Sequence, residues 1–256
     1  MIMNYKFKRI FRTILYKVFN QAIIFLILIF LGSRVIAIYA YPFFAINKPL
    51  HGDIMVVEGW LRGEELRSAL QIYRTGKYNQ IVVTGGTFAY NTAETLTSEW
   101  QIDPDLIKVV VRDMPNGQFE RDRTFNSALG LRHWLLEAKK KEKKVDIVTR
   151  GHHARRSFIL FKVALDGVAK VGVIAVPPYN YDPDYWHDSS AGFRAVIGEI
   201  IAYIYVKFIF TPEFPKNREH THIDHQGFHP TSLMLVKNKI RCNEQYNKKR
   251  KAIPRS

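Results

Sequence analysis

The chain opens on a polar, basic stretch, crosses one unbroken apolar run, and then settles into short β-rich runs that alternate with amphipathic segments. The apolar run, VFNQAIIFLILIFLGSRVIAIYAYPFFAI over 18–46, contains roughly the 20 apolar residues a helix needs to cross a bilayer. After Pro49 the period changes. Asp53 to Val57, Gln80 to Thr84, Ile107 to Arg112, Val145 to Thr149 and Lys170 to Val176 are short and β-branched, the mark of buried strands. Between them apolar residues recur at helical spacing: Gly63 to Thr75 (Leu66, Ala69, Leu70, Tyr73), Asn91 to Trp100, Arg123 to Ala138 with Asp122 as its predicted cap, Ala154 to Leu165, and Phe193 to Phe210. The alternation predicts an α/β fold in which helices cover both faces of a mainly parallel five-stranded sheet, preceded by one transmembrane helix.

Arg34 sets the limits of the span. Near one end of the helix its side chain can snorkel to the interface, which places the span at about Phe19 to Tyr39 and makes Tyr39, Tyr41, Phe43 and Phe44 an aromatic belt. A cleaved signal peptide is the competing reading; the length of the run and the lack of a small-x-small cleavage site favour an anchor. Lys6, Lys8, Arg9, Arg12 and Lys17 precede the span, whereas Lys48 and Arg62 are the nearest basic residues after it. The positive-inside rule then puts the N-terminus in the cytoplasm and the α/β domain outside. The apolar helix ending in IIAYIYVKFIF would make a second span but for Glu199 and Lys207, so it is expected to pack on the sheet. The organisation is thus a basic N-terminus (1–17), an anchor (18–46), an α/β domain (50–210) and a basic tail (211–256).

A formal net charge of +15 calls for acidic partners. The excess sits at the ends, in the residues before the anchor and in the run Lys248, Lys249, Arg250, Lys251, and no nucleic-acid motif accompanies it. It reads as membrane-surface and tail charge, with no nucleic-acid partner expected. The cluster Lys139 to Lys144 reads as the solvated end of a helix. Cys242, the sole cysteine, excludes an intramolecular disulfide and a CxxC site. His220, His222, His225 and His229 in the tail lack a fixed spacing on a stable element; a solvated tail is the better reading and no metal site is predicted.

In an open parallel sheet ligands bind beyond the carboxyl ends of the strands, and those positions here are polar. Glu58 follows the first run; it is a candidate general base, or one half of an ion pair with an arginine. Gly85 and Gly86 follow the second, where they allow a close approach to an anion or make an ordinary tight turn. Arg121, Arg123 and Thr124 lie near the third turn, and Thr149, His152, His153, Arg155 and Arg156 follow the fourth. Of these His153 is the candidate acid or base, while Arg123, Thr124, Thr149, His152 and Arg156 are candidate ligand contacts. Asp182, Asp184, Trp186 and His187 form either a lid or a rigid loop on the sheet edge.

Three segments together, VVEGW, VVTGG and TRGHHARRS, resemble the YdcF/SanA/ElyC-like envelope proteins over about residues 50–210. By position His153 and Arg156 correspond to that family's loop His and Arg, and Gly85 and Gly86 to its Ser-Gly-Gly turn. Arg123, Thr124 and Asn126 lie where the family starts a helix with Thr-x-Glu-Asn. Here Glu58-Gly59-Trp60 replaces a run of glycines, and Asn126-Ser127 replaces Glu-Asn. The resemblance implies a Rossmann-like three-layer fold and an envelope-related, membrane-anchored protein. Its expected partner is an anionic small molecule or lipid-linked precursor. The expectation is a hydrolase or transferase acting on that precursor, or a tethered binding module that does no chemistry; a methyltransferase-like use of the crevice is weaker, because no carboxylate is placed for ribose hydroxyls. No motif specifies a cofactor.

Overall fold

The structure, a computed structural model, describes residues 2–86, 88–111, 122–138 and 143–214. The four tail histidines, Cys242, the basic run at 248–251, Arg112, Arg121 and residues 139–142 lie outside the described residues.

The elements follow the alternation: α1 (Ile2–Phe44), β1 (Ile54–Glu58), α2 (Glu64–Thr75), β2 (Gln80–Gly85), α3 (Phe88–Ser98), β3 (Ile107–Val111), α4 (Arg123–Glu137), β4 (Lys143–Arg150), α5 (Ala154–Ala164), β5 (Ala169–Val176) and α6 (Ser190–Phe208). All five strands are parallel, in the order β3-β2-β1-β4-β5. The period of two along each strand sorts the core into two layers. Ile54 and Val56 of β1 pack with Phe125 and Leu131 of α4 and with Leu160 and Phe161 of α5. Met55 and Val57 face the other way, onto Leu66 and Ala69 of α2 and Ala93 and Leu96 of α3. Each such large side chain, fully buried, stabilises the fold by about 1.5–3 kcal/mol.

Several local expectations change. Lys143, expected at the solvated end of a helix, is buried in β4 and donates to the Leu135 carbonyl, and α6, expected on the sheet, packs chiefly against α1, α5 and the turns that precede α5 and α6. Asp122 occupies the cap position of α4 but makes no side-chain cap bond; its backbone is left-handed (φ 50°) instead of extended, the conformation that aims a carboxylate at the first free amides. Tyr205 donates to that carboxylate instead, at 3.4 Å. The start of α6 also moves back, to Ser190, because Ser189 caps it by accepting from the Gly192 amide at 3.0 Å.

Over Arg9–Phe44, α1 is long and apolar enough to cross a membrane. Its residues from Gln21 to Ile36 are all exposed, and contact with the domain starts at Ala37. There the Trp186 indole donates to the Ala37 carbonyl at 2.9 Å. Tyr41 and Phe44 are buried, and Arg155 donates to the Phe43 carbonyl at 2.5 Å while lying 4.0 Å over the Phe43 ring. The predicted aromatic belt is therefore divided: Tyr39 and Phe43 stay exposed, whereas Tyr41 and Phe44 are core.

From the end of α1 the chain descends antiparallel along β5. Lys48 and Val173 exchange backbone bonds of 2.8 and 3.1 Å, and the Ala175 amide donates to Asn47 at 3.3 Å. The fully buried Asp146 accepts from the Leu50 and Gly52 amides and from the Tyr78 hydroxyl. Helix α1 thus arrives at the carboxyl end of the sheet, and β1 starts from the amino end.

The junction at Tyr41 is tight, since a Cβ on Gly151 would lie 2.0 Å from the Tyr41 hydroxyl oxygen. Gly151→Ala should cost about 1–3 kcal/mol by overpacking. Adding Tyr41→Phe, which removes that oxygen, should recover part of the loss. Thermal unfolding of the single and double variants checks this; no recovery would mean that the overlap is not the cause.

Candidate functional site

The strand order reverses between β1 and β4, because β1 continues into α2 on one face and β4 into α5 on the other. Such a reversal opens a crevice at the carboxyl ends of the two strands. The last inward positions form a polar row on the α4/α5 face. Thr84 pairs in register with Glu58, and the register of β1 on β4 brings Thr149 next to Glu58 on the other side. All three are buried.

Glu58 has no arginine partner in this row. One carboxylate oxygen accepts from the Thr149 hydroxyl and the other from Ser157 of α5, at 3.0 Å. The Thr84 hydroxyl is buried with no hydrogen-bond partner among the described residues. Gly85 takes φ +147°, a conformation that L side chains rarely adopt, and Gly86 accepts from the Ala89 amide to start α3. Beside them Gly59 allows α3 to close on the β1 turn, since a Cβ there would lie 2.7 Å from the Ala89 Cα.

Beyond the row a turn of 3-10 helix, Gly151–His153, leads into α5. His153 lies between helices. Its Nδ1 is 3.1 Å from Glu199 of α6 and 2.8 Å from an Arg156 nitrogen, and its Nε2 is 3.5 Å from the Thr124 hydroxyl at the start of α4. Arg156 grips the same carboxylate through two nitrogens, at 2.6 and 3.1 Å. Nδ1 lies in the ring plane and can direct only one strong bond. An ionised Glu199 favours the tautomer in which Nδ1–H donates to it, whereas the Arg156 N–H favours the one in which Nδ1 accepts. In either case Nε2 is the nitrogen that faces the start of α4. Burial alone would raise the Glu199 carboxyl, but the bonds and charges of His153 and Arg156 outweigh it and hold the group down at about 2.

His152 has a different setting. The Tyr181 hydroxyl is 2.6 Å from its Nδ1. Burial first, then the neighbouring His153, pushes the imidazole down to about 3, against the pull of Glu199 and with Arg150 and Arg156 adding to the fall. Burial likewise raises the Tyr181 phenol, so a neutral phenol donates to a neutral ring.

Across the crevice Arg150 grips the buried Glu65 of α2 through two nitrogens and lies 5.0 Å over the Trp60 ring, which meets His153 edge-on at 5.2 Å. This clamp ties the β1–α2 loop to the end of β4.

No protein-family model, curated protein or solved structure matches this chain. The site therefore rests on its own geometry.

That geometry brings Glu58, Thr149, His153, Thr124 and Arg156 to one end of the sheet, with the exposed Arg123 at the first position of α4. Arg156 is committed to Glu199, and His152 to Tyr181. The 182–187 loop is anchored through Trp186, which is buried against Tyr41 and Val196. Sequence reasoning does not single out Glu199, Trp60, Ser157 or the Glu65–Arg150 pair as site residues. Among the described residues no group of three His, Cys, Asp or Glu side chains is placed to hold a metal ion. A hollow of about 390 Å³ lined by Arg67, Arg74 and Glu99 lies between α2 and the end of α3; it contains none of the crevice residues, and convergent polar groups mark the crevice as the better candidate.

Proposed function

We propose that this chain is a membrane-anchored protein of the YdcF/SanA/ElyC-like kind, with a Rossmann-like domain outside the cytoplasmic membrane. Its crevice binds an anionic group and His153 transfers a proton in a hydrolase or transferase reaction on an anionic envelope precursor. The observation that carries the reading is the bond from His153 to the buried Glu199, which leaves Nε2 facing Thr124. An imidazole oriented in this way by a carboxylate is suited to take and return a proton. Among the described residues no side chain caps α4, whose first amides and Arg123 favour an anion beside Nε2. Glu58, on the floor of the crevice, has both carboxyl oxygens engaged by Thr149 and Ser157. The strand order agrees with the first five positions of the doubly wound arrangement.

The test uses the full chain in detergent. Inorganic phosphate or a sugar phosphate should raise the melting temperature, by the equivalent of about 2.7 kcal/mol at a hundredfold excess over Kd. Arg123→Ala should abolish the rise without unfolding the protein. With any precursor that binds, His153→Gln should retain binding and lose turnover. Failure of every anion to stabilise the wild type would sink the reading, and saturable binding without turnover would favour the tethered binding module.

A further inference from the structure

We infer that the crevice end of the domain is a docking surface for the bilayer, resting on the headgroup layer of the leaflet from which α1 emerges. Helix α1 runs without a break from its exposed apolar stretch into the domain, and the first contact, the Trp186 indole on the Ala37 carbonyl, falls where a span of about twenty residues would end. The domain therefore abuts the membrane.

Which end abuts it follows from the packing. The Tyr41 hydroxyl seats against Gly151 at the end of β4, and Arg155 beside it holds the last carbonyls of α1. Both lie at the carboxyl end of the sheet. The connector then leads away from α1 towards the amino end. The crevice thus opens on the side from which α1 comes.

The residues exposed on that side suit the partner. Phe88 at the start of α3, Tyr185 in the loop before α6 and Phe193 in its first turn are 53%, 62% and 52% exposed, and Tyr39 of α1 is 65% exposed. Arg62, lying 5.2 Å from the Phe88 ring, and Arg194 are exposed with them. Aromatic rings interleaved with arginines are the composition of a membrane interface, where rings sit at headgroup depth and guanidiniums meet phosphates. On a face bathed only in water, so many exposed rings would carry no such benefit. A ligand entering the crevice would then come from the headgroup layer.

The inference rests on α1 crossing the bilayer, as in the reading above, but not on any turnover. In a Cys242→Ser background, single cysteines replace Tyr185, Phe88, Lys77 and Leu26. Lys77 precedes β2 at the amino end, and Leu26 lies within the span. Each full-length variant is labelled with a small fluorophore and placed in phosphatidylcholine–phosphatidylglycerol nanodiscs that carry a spin-labelled lipid quencher, at headgroup depth or in the acyl chains. Labels at 185 and 88 should lie within roughly 10 Å of the headgroup layer. The label at 77 is a strand length away, about 20 Å for the six residues of β2. The headgroup quencher should therefore dim 185 and 88 several-fold more than 77. Equal quenching at the three sites, or stronger quenching at 77, overturns the inference. A label at 26 that escapes the acyl-chain quencher shows instead that the span itself has failed.

Discussion

Glu199→Gln should destabilise the protein by about 3 kcal/mol at neutral pH, because Arg156 and His153 then face an amide in place of the charge that pairs with them. The same figure follows from titration: a fall from 4.5 to about 2 corresponds to about 3 kcal/mol. The folded-state value lies below the unfolded one, so this stability is fully present above about pH 4.5 and is lost as the pH falls through about 2. Urea unfolding of wild type and variant from pH 7 down to pH 2 should show a wide gap that closes with acid. A gap independent of pH would mean that the carboxylate is not the ionised partner. Any turnover that depends on His153 should also fall, by roughly 10²-fold or more, as the ring loses the carboxylate that orients it.

His152 should control a separate window. Its folded value of about 3 lies below the ordinary 6.5, so between the two the unfolded chain binds a proton that the buried ring refuses. Stability contributed by the neutral ring is complete above about pH 6.5 and falls as the pH drops. From pH 7 to pH 5 the loss should be about 2 kcal/mol. His152→Asn keeps an acceptor for the Tyr181 hydroxyl but cannot titrate, so its stability should be flatter over that interval. Parallel slopes in wild type and variant would place the titration elsewhere.

How far these groups can be read from the sequence depends on their partners' distance along the chain. The β-rich runs announce their strands because period and length are local, and the polar residues just after them mark the crevice end. Glu58 is visible as a carboxylate but its setting is not: its two hydroxyl donors lie 91 and 99 residues away. In the sequence Glu199 reads only as a charge that interrupts an apolar helix, and its partner ring is 46 residues distant. A lone carboxylate in an apolar helix must find a donor or lose its charge, and that is the signal that could have found it. Asp122 shows the opposite failure, since a good capping residue sits in a left-handed backbone and makes no side-chain cap bond. The aromatic belt is only half legible because burial of Tyr41 and Phe44 is a property of α6 and the Gly151 turn, not of α1.

The last turns of α1 belong to the folded core, and this bears on whether the domain could ever be shed from its tether. A protease cutting just after Phe44 would strip Tyr41 from Trp186 and Val196, leave the Trp186 indole without the Ala37 carbonyl, and remove what Arg155 holds. The fragment would carry an open apolar wound beside its own crevice. A cut before Ala37 would leave the junction whole, but would fall in the exposed stretch of α1 that is long and apolar enough to cross a membrane. On the membrane-anchored reading proposed above, release of the domain with its junction intact therefore needs a cut within that stretch.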